Sequence, residues 1–163
     1  MANVRDVAVL VGSLRRDSFT RKIALALKGL APSTLDLDIV EIRGLPMYDQ
    51  DLETETPPRE WVDFRKRIKR ADALLFATPE YNRSIPGCLK NAVDVGSRPG
   101  GHGVFDGKPG AVVSVTPYGL GGFGANHHLR QSLVYVNVLV MAQPSRSSTA
   151  VPRPFILVNW TMR

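Results

Sequence analysis

A polar loop whose side chains could hold a phosphate follows the first apolar run of the chain. Residues 12–20 read GSLRRDSFT, with hydroxyl groups at Ser13, Ser18 and Thr20 and a guanidinium group at Arg15. Helical spacing begins where this loop ends, and the first turn of a helix presents unpaired N–H groups to an anion. The GxxxxGKS/T pattern of a P-loop is absent. The loop therefore predicts a phosphate site of another kind, unless Ser18 or Thr20 only caps the helix.

A second loop combines a stiff backbone with groups that suit a flat heterocycle. Residues 79–87 read PEYNRSIPG, which places Pro79 beside a carboxylate at Glu80, an aromatic ring at Tyr81 and a carboxamide at Asn82. Aromatic rings stack on planar ligands, and amide groups supply the hydrogen bonds that orient them. The alternative is a rigid connection whose polar residues are simply exposed to water.

A third loop is rich in glycine. Residues 118–124 read YGLGGFG, and Gly119, Gly121 and Gly124 match the GxGxxG pattern of dinucleotide-binding proteins. That pattern belongs to the first strand–helix turn and needs an acidic residue about 20 positions further on. Asp106 is the last acidic residue of the chain, so the fingerprint is disfavoured. The glycines instead allow backbone N–H groups to approach a ligand, or they form a mobile loop without contacts.

Strands and helices alternate around these loops. Short apolar runs predict five strands at 4–11, 35–42, 72–78, 111–116 and 136–142, and amphipathic spacing predicts helices at 20–30, 59–70, 87–96 and 125–134. This alternation is typical of an α/β fold in which helices cover both faces of a parallel sheet. The connection at 97–109 is Gly-rich and is predicted to be flexible.

The three loops are expected to share one crevice, because each follows a predicted strand. Ligands of such folds bind outside the carboxyl ends of the strands, where the strand order reverses. A phosphate grip, a platform of aromatic and amide groups, and a glycine wall describe a mononucleotide that carries a flat ring. Flavin mononucleotide (FMN) fits that description best.

Composition narrows the class of protein. The 163 residues are 44% hydrophobic and 22% charged, which favours one globular domain with a sizeable core. Cys88 is the single cysteine, so an internal disulfide or a cysteine-based zinc site is excluded, and the three histidines lack metal-ligand spacing. The first residues lack a signal-peptide pattern and no run is long enough to span a membrane, so a cytoplasmic location is expected.

The formal charge of +6 invites a nucleic-acid partner. Half of that excess comes from Arg146, Arg153 and Arg163, in a tail without acidic residues. Much of the rest lies in the first loop or on the predicted amphipathic helix 59–70. We therefore expect anionic small molecules, and no nucleic acid and no membrane, as partners.

The motifs resemble those of the NADPH-dependent FMN reductase family, in particular its chromate and quinone reductase branch. The resemblance rests on GSLRRDSFT at 12–20, PEYNRSIPGCLKNAVD at 79–94 and GLGGFG at 119–124, and it covers about residues 4–143. It implies a flavodoxin-like, doubly wound sheet of five parallel strands. It also implies FMN bound without a covalent link, and a homodimer or homotetramer.

The resemblance assigns each loop a part of the flavin. It implies that the phosphate is held by Ser13, Arg15, Ser18, Phe19 and Thr20, although family members usually have Asn where this chain has Thr20. It implies that the isoalloxazine and ribityl chain are lined by Pro79, Glu80, Tyr81 and Asn82. It implies that the other side is closed by Tyr118, Gly119, Gly121 and Gly122. The helices at 87–96 and 125–135 resemble a dimer surface, with Leu89, Val93, His127, His128 and Arg130 facing the partner.

The activity implied by the resemblance is hydride transfer from NAD(P)H to the flavin and on to an acceptor. The family's acceptors are quinones, azo dyes, free flavins and oxidised metal anions such as chromate. The cofactor carries the chemistry, so neither a catalytic side chain nor a metal is expected. The alternative functions are a flavodoxin-type electron carrier without NAD(P)H activity and a binding protein that has lost its flavin site. Such carriers are typically acidic, and the basic charge of this chain favours the enzyme.

The resemblance ends near residue 143, so we expect a flavin-binding domain at 1–143 and a divergent tail at 144–163. Pro144, Pro152 and Pro154 disfavour the last helix that the family carries there, and that helix is expected to be missing or replaced. The apolar residues at 155–158 and Trp160 could cover part of the sheet or pair with another chain.

Overall fold

The sheet is built from five parallel strands. The computed structural model describes residues 3–142 and 155–156. The strands are β1 (Arg5–Val11), β2 (Leu35–Val40), β3 (Ala73–Thr78), β4 (Pro109–Thr116) and β5 (Leu139–Val140), in the order β2-β1-β3-β4-β5. Val9 of β1 pairs with Ile39 on one side and with Leu75 on the other. The predicted doubly wound, flavodoxin-like sheet is confirmed.

Four helices connect the strands. They are α1 (Phe19–Leu30), α2 (Arg59–Arg70), α3 (Gly87–Gly96) and α4 (Phe123–Tyr135), with a short 3₁₀ helix at Gln50–Leu52. The predicted bounds of α2 and α3 are correct, and those of α1 and α4 differ by one or two residues. No helix in the described ranges is long and apolar enough to cross a membrane.

The two faces of the sheet are covered unequally. On one face, Trp61, Phe64 and Ile68 of α2 pack with residues of α3 and α4 against the side chains of Leu10, Phe76 and other strand residues. On the other face, α1 packs through Ala24 against Val9, Leu75 and Val113. Leu89 and Val93 of α3 are buried in the first of these clusters. Our expectation that they face a partner subunit is therefore wrong.

The Gly-rich connection at 97–109 is anchored rather than flexible throughout. Val104 and Phe105 are buried, and the Phe105 ring lies against Phe76 with ring centroids 6.1 Å apart. The ring occupies the space that a Cβ atom at Gly96 would need. The glycine at the end of α3 therefore makes room for an aromatic anchor, a tertiary contact that composition does not reveal.

The fifth strand is shorter than predicted because the end of α4 uses part of its sequence. Asn137 adopts a left-handed conformation with φ of 57°, and the Val138 N–H donates to the Leu133 carbonyl. Only Leu139–Val140 then pairs with β4. A further two-residue strand, β6 (Phe155–Ile156), pairs antiparallel with Val115 and Thr116 of β4. The rest of the predicted divergent tail lies outside the described residues.

Candidate functional site

Topology brings the three loops to one edge of the sheet. The loops at 12–18, 79–86 and 117–122 follow β1, β3 and β4, which are neighbours in the sheet and run in the same direction. Because β2 lies on the opposite side of β1, the strand order reverses between β1 and β3. This is the position at which flavodoxin-like sheets bind a ligand.

The first loop presents a series of free backbone donors. The Gly12 N–H donates to the Ala77 carbonyl at 2.7 Å, and a Cβ atom at Gly12 would lie 2.9 Å from the Leu89 side chain. Beyond Gly12, the N–H groups of residues 13–17 donate no hydrogen bond to any group that the structure describes. Five successive free donors before the start of a helix form a cradle suited to a phosphate.

The side chains proposed from the sequence for the phosphate site are of two kinds: buried hydroxyl groups, and the exposed side chains of Arg15 and Phe19. Ser13, Ser18 and Thr20 are buried. The Ser18 Oγ accepts the Arg21 N–H at 3.2 Å, so Ser18 caps α1. The capping role considered for Ser18 from the sequence is therefore present. Arg15 is exposed, and Phe19 is 42% exposed with the Lys22 ammonium 5.8 Å from its ring centroid.

The second loop is a tight turn held by its own backbone. Tyr81 and Ser84 exchange two N–H···O hydrogen bonds of 2.9 Å, and the residues between them, Asn82 and Arg83, have φ of 50° and 65°. Positive φ at both central positions defines the type I′ class of turn, which favours Asn at the first of them. The turn leaves Tyr81 44% exposed at the rim of the crevice. The stiffness predicted for this loop is thus a property of its hydrogen bonds as well as of its prolines.

The carboxylate of Glu80 connects the second loop to the third. Its side chain is only 12% exposed, and Oε2 accepts the N–H of Ala125 in the first turn of α4 at 3.1 Å. Gly124 permits this approach, since a Cβ atom there would lie 2.6 Å from the Arg83 carbonyl oxygen and 3.0 Å from Glu80 Oε2. The carboxylate of Glu80 is thus held at the amino end of α4, and the expectation that Glu80 lines the flavin stays a prediction.

The glycines of the third loop have different roles. Gly121 and Gly122 are both left-handed, with φ of 60° and 76°, and a Cβ atom at Gly122 would lie 2.9 Å from the Ser114 Cβ. Gly119 has no atom within 4 Å of its Cβ position, and neighbouring Tyr118 is 77% exposed. The fold therefore requires glycine at positions 121 and 122. Gly119 is not required by the fold, and it leaves open space at the crevice.

Sequence reasoning missed a chain of buried polar groups beneath the third loop. The Ser114 Oγ donates to the Gly121 carbonyl at 2.7 Å and accepts from Asn126 Nδ2 at 3.2 Å. Arg130 Nε donates to Asn126 Oδ1 at 2.9 Å, and its NH1 group donates to the Met141 carbonyl at 2.8 Å. A serine inside the apolar run AVVSVT is a weak signal of such a chain, but nothing local identifies Asn126 as its partner.

Cys88, in the first turn of α3, lacks the features of a reactive thiol. It is half-buried, with Sγ 3.7 Å from the Gly12 carbonyl oxygen. Burial raises the pKa of the Cys88 thiol, so the protonated, unreactive form predominates at neutral pH.

The residues present fit FMN. The free N–H groups of residues 13–17 and the exposed guanidinium group of Arg15 suit its phosphate. Exposed Tyr81 and Tyr118 and the open space at Gly119 leave room for a planar ring between the second and third loops. Fold and crevice together define a flavodoxin-like α/β protein with a site for a mononucleotide.

Comparisons with known proteins identify the family. The family model for NADPH-dependent FMN reductase matches residues 5–151. A quinone reductase of Pseudomonas putida is 60% identical over 144 residues, 88% of this chain and 77% of that protein. A 2-hydroxy-1,4-benzoquinone reductase of a Burkholderia species is 49% identical over 138 residues, 85% of this chain and 75% of that protein.

A solved structure agrees. FerB, a flavoenzyme NAD(P)H:(acceptor) oxidoreductase from Paracoccus denitrificans, superposes with a TM-score of 0.83 at 39% identity, covering 89% of this chain and 79% of that one. The chain belongs to the NADPH-dependent FMN reductase family. The resemblance seen in its three loops is confirmed, and with it an oxidoreductase that uses FMN and NAD(P)H. The electron carrier considered as an alternative is not favoured.

Proposed function

We propose that this oxidoreductase passes reducing equivalents from NAD(P)H to quinones, with FMN held in the crevice between the three loops. The observation that carries the proposal is the cradle of free N–H groups at residues 13–17, next to the point where the strand order reverses. The names of the relatives from Pseudomonas putida and the Burkholderia species support quinones as the acceptor class. When bound, FMN supplies the hydride chemistry by accepting from the nicotinamide and donating to the acceptor.

The first loop would hold the phosphate of FMN. Free backbone donors, the buried hydroxyl groups and the guanidinium group of Arg15 supply charge-assisted hydrogen bonds. Ser18 would act partly by capping α1, which fixes the direction in which the helix presents its amino end. The residues proposed for this grip are Ser13, Arg15, Ser18, Phe19 and Thr20.

The second and third loops would position the ring and leave one face accessible. The type I′ turn holds Tyr81 at the rim, and left-handed Gly121 and Gly122 direct the third loop back over Ser114. Backbone N–H groups of these loops would stabilise the negative charge that develops on a reduced flavin ring, so the protein needs no acid–base side chain. The residues proposed for this part are Pro79, Glu80, Tyr81, Asn82, Tyr118, Gly119, Gly121 and Gly122, with Glu80 as a positioning residue.

Further acceptors belong to the same proposal. Azo compounds, free flavins and chromate would react at the same exposed ring face, because an open crevice selects weakly by shape. NAD(P)H and acceptor would then alternate at one position. A reducing pool of NAD(P)H is cytoplasmic, which supports the expected location of the protein.

We also propose that the active form is a homodimer or homotetramer assembled through α3 and α4. A cleft of about 500 Å³ lies between these helices and is lined by Tyr48, Asp94, Tyr135 and other residues. Val134 and Tyr135 are 65% and 90% exposed, so their side chains are available for contact with a second copy of the chain. The variant Tyr135→Ser should shift the mass measured by light scattering toward the monomer, whereas an unchanged mass would contradict this surface.

Steady-state kinetics tests the proposed activity. Protein stripped of flavin should reduce a benzoquinone with NADPH only after FMN is added, and double-reciprocal plots at several quinone concentrations should be parallel. Riboflavin, which lacks the phosphate, serves as the matched control and should restore little activity. Activity independent of added FMN, or none in its presence, would contradict the proposal.

A further inference from the structure

A second, strongly basic pocket lies beside the flavin crevice. It has a volume of about 520 Å³ and is formed at the carboxyl ends of β1 and β2. Its rim carries Arg15, Arg16, Arg21 and Arg43, and Glu41 is the one carboxylate among the described residues that line it. Buried Val11, Val40 and Ile42 form an apolar floor.

The pocket carries an uncompensated positive charge. Arg21 forms an ion pair with Glu41, and Arg43 donates a hydrogen bond to the Leu14 carbonyl, which leaves its charge unpaired. Arg15, Arg16 and Arg43 form no ion pair with any residue that the structure describes. Glu41 is paired with Arg21 and Arg15 is proposed for the flavin phosphate, so Arg16 and Arg43 are the guanidinium groups left to bind a further anion. Like charges around one pocket repel one another, and a bound anion lowers that cost. Their forked donors match phosphate oxygens in particular.

The position of the pocket separates it from the flavin phosphate. The flavin crevice lies between β1 and β3, whereas this pocket lies between β1 and β2, on the opposite side of the first loop. Ser13 and Arg15 belong to both, so the loop forms a wall between two adjoining anion sites. A dinucleotide whose nicotinamide lies on the flavin could cross this wall and reach the pocket with its other end.

We propose that this pocket binds the adenosine 2′-phosphate of NADPH, and that Arg16 and Arg43 determine the preference for NADPH over NADH. The inference rests on the proposed function and names the part of the reductant that the chain recognises. A phosphate monoester carries about −1.5 to −2 charges at pH 7, which suits the unpaired guanidinium groups. The 2′-phosphate is the group that NADH lacks.

Direct binding of adenosine phosphates tests the pocket without relying on turnover. By calorimetry on the FMN-loaded protein, 2′,5′-ADP should bind at least about tenfold more tightly than 5′-AMP, since each charge-assisted hydrogen bond is worth about that factor. Arg16→Ala and Arg43→Ala should each reduce this preference about tenfold. Arg59→Ala, on a side chain that is 91% exposed on α2, is the matched control and should leave it unchanged.

Kinetics supplies a second readout. The ratio of kcat/KM for NADPH to that for NADH should fall about tenfold in Arg16→Ala, mainly through KM for NADPH, and Arg16→Lys should restore part of it. Equal binding of 2′,5′-ADP and 5′-AMP by the wild-type protein would overturn the inference, as would an unchanged ratio in both arginine variants. If neither NADPH nor NADH reduces the flavin of the wild-type protein, the proposed function fails. The 2′,5′-ADP measurement still shows in that case whether the pocket prefers a 2′-phosphate.

Discussion

The second and third loops form two walls of one crevice, and they are held in place differently. The 79–86 loop is shaped locally, by a turn in which Tyr81 and Ser84 exchange two backbone hydrogen bonds. The 117–122 loop is shaped by the core, because Gly121 and Gly122 fold over Ser114, which is bonded to Asn126. Side-chain changes at Asn82 and Arg83 within the turn of the 79–86 loop should therefore have little effect on the fold, whereas changes in the 117–122 loop reach the sheet and α4.

The largest expected effect on stability comes from a substitution in the 117–122 loop. Gly122→Ala introduces a Cβ atom 2.9 Å from the Ser114 Cβ at a residue with φ of 76°. Left-handed strain and steric overlap together should lower the free energy of unfolding by about 2–4 kcal/mol. Urea unfolding of the variant and the wild-type protein measures this loss. A loss below about 0.5 kcal/mol would mean that the third loop is not coupled to the core.

Ser114→Ala should have the next largest effect. It removes the donor to the Gly121 carbonyl and the acceptor of the Asn126 amide in a fully buried position. Buried polar groups left without partners should cost about 1–3 kcal/mol in the free energy of unfolding. Ser132→Ala is the control, because the Ser132 hydroxyl donates only to the His128 carbonyl on the surface of α4. Equal losses in the two variants would contradict a special role for the buried chain.

Arg83→Gly should change stability in the opposite direction. Arg83 has φ of 65°, and an Asn-Gly pair is the preferred sequence of a type I′ turn. Relief of the left-handed strain should raise the free energy of unfolding by about 0.5–1 kcal/mol. Arg83→Ala removes the 3.4 Å ion pair with Glu80 but keeps the strain, so it should not stabilise the protein. If both variants lowered the stability equally, the turn would not be strained.

Gly119→Ala should leave stability nearly unchanged and weaken FMN binding. No atom of the protein lies within 4 Å of the Gly119 Cβ position, so the fold tolerates a methyl group there. The same methyl group would occupy space proposed for the flavin. Thermal unfolding of the flavin-free protein and fluorescence titration with FMN separate the two effects. Unchanged FMN affinity would remove Gly119 from the site.

The positions of the loops could be predicted from the sequence, but their internal bonding could not. Alternating apolar runs locate β1, β3 and β4, and the ends of those strands fix where the crevice lies. The contact between Glu80 and Ala125 joins residues 45 positions apart, and no local pattern signals it. The same holds for the packing of Phe105 on Phe76 and for the pairing of Asn126 with Ser114.

The shortened β5 has a local cause that hydrophobic patterning does not capture. Residues 136–142 read as a strand by composition, but residues 136–138 form the turn that ends α4, with Asn137 in the left-handed conformation and the Val138 N–H bonded to the Leu133 carbonyl. For the basic pocket too, the sequence shows the residue types but not which of them lie together. Arg15 and Arg16 are visible in the sequence, whereas their meeting with Arg43 depends on the pairing of β1 with β2.

Anaerobic flavin reduction tests the central claim most directly. Protein loaded with FMN and freed of excess flavin should lose its visible flavin absorbance when NADPH is added without oxygen, and a benzoquinone should then restore it in equimolar amount. That result would establish flavin binding, reduction by NAD(P)H and transfer to a quinone in one sample. A protein that retains no FMN, or whose bound FMN keeps its colour with both NADPH and NADH, would contradict the account.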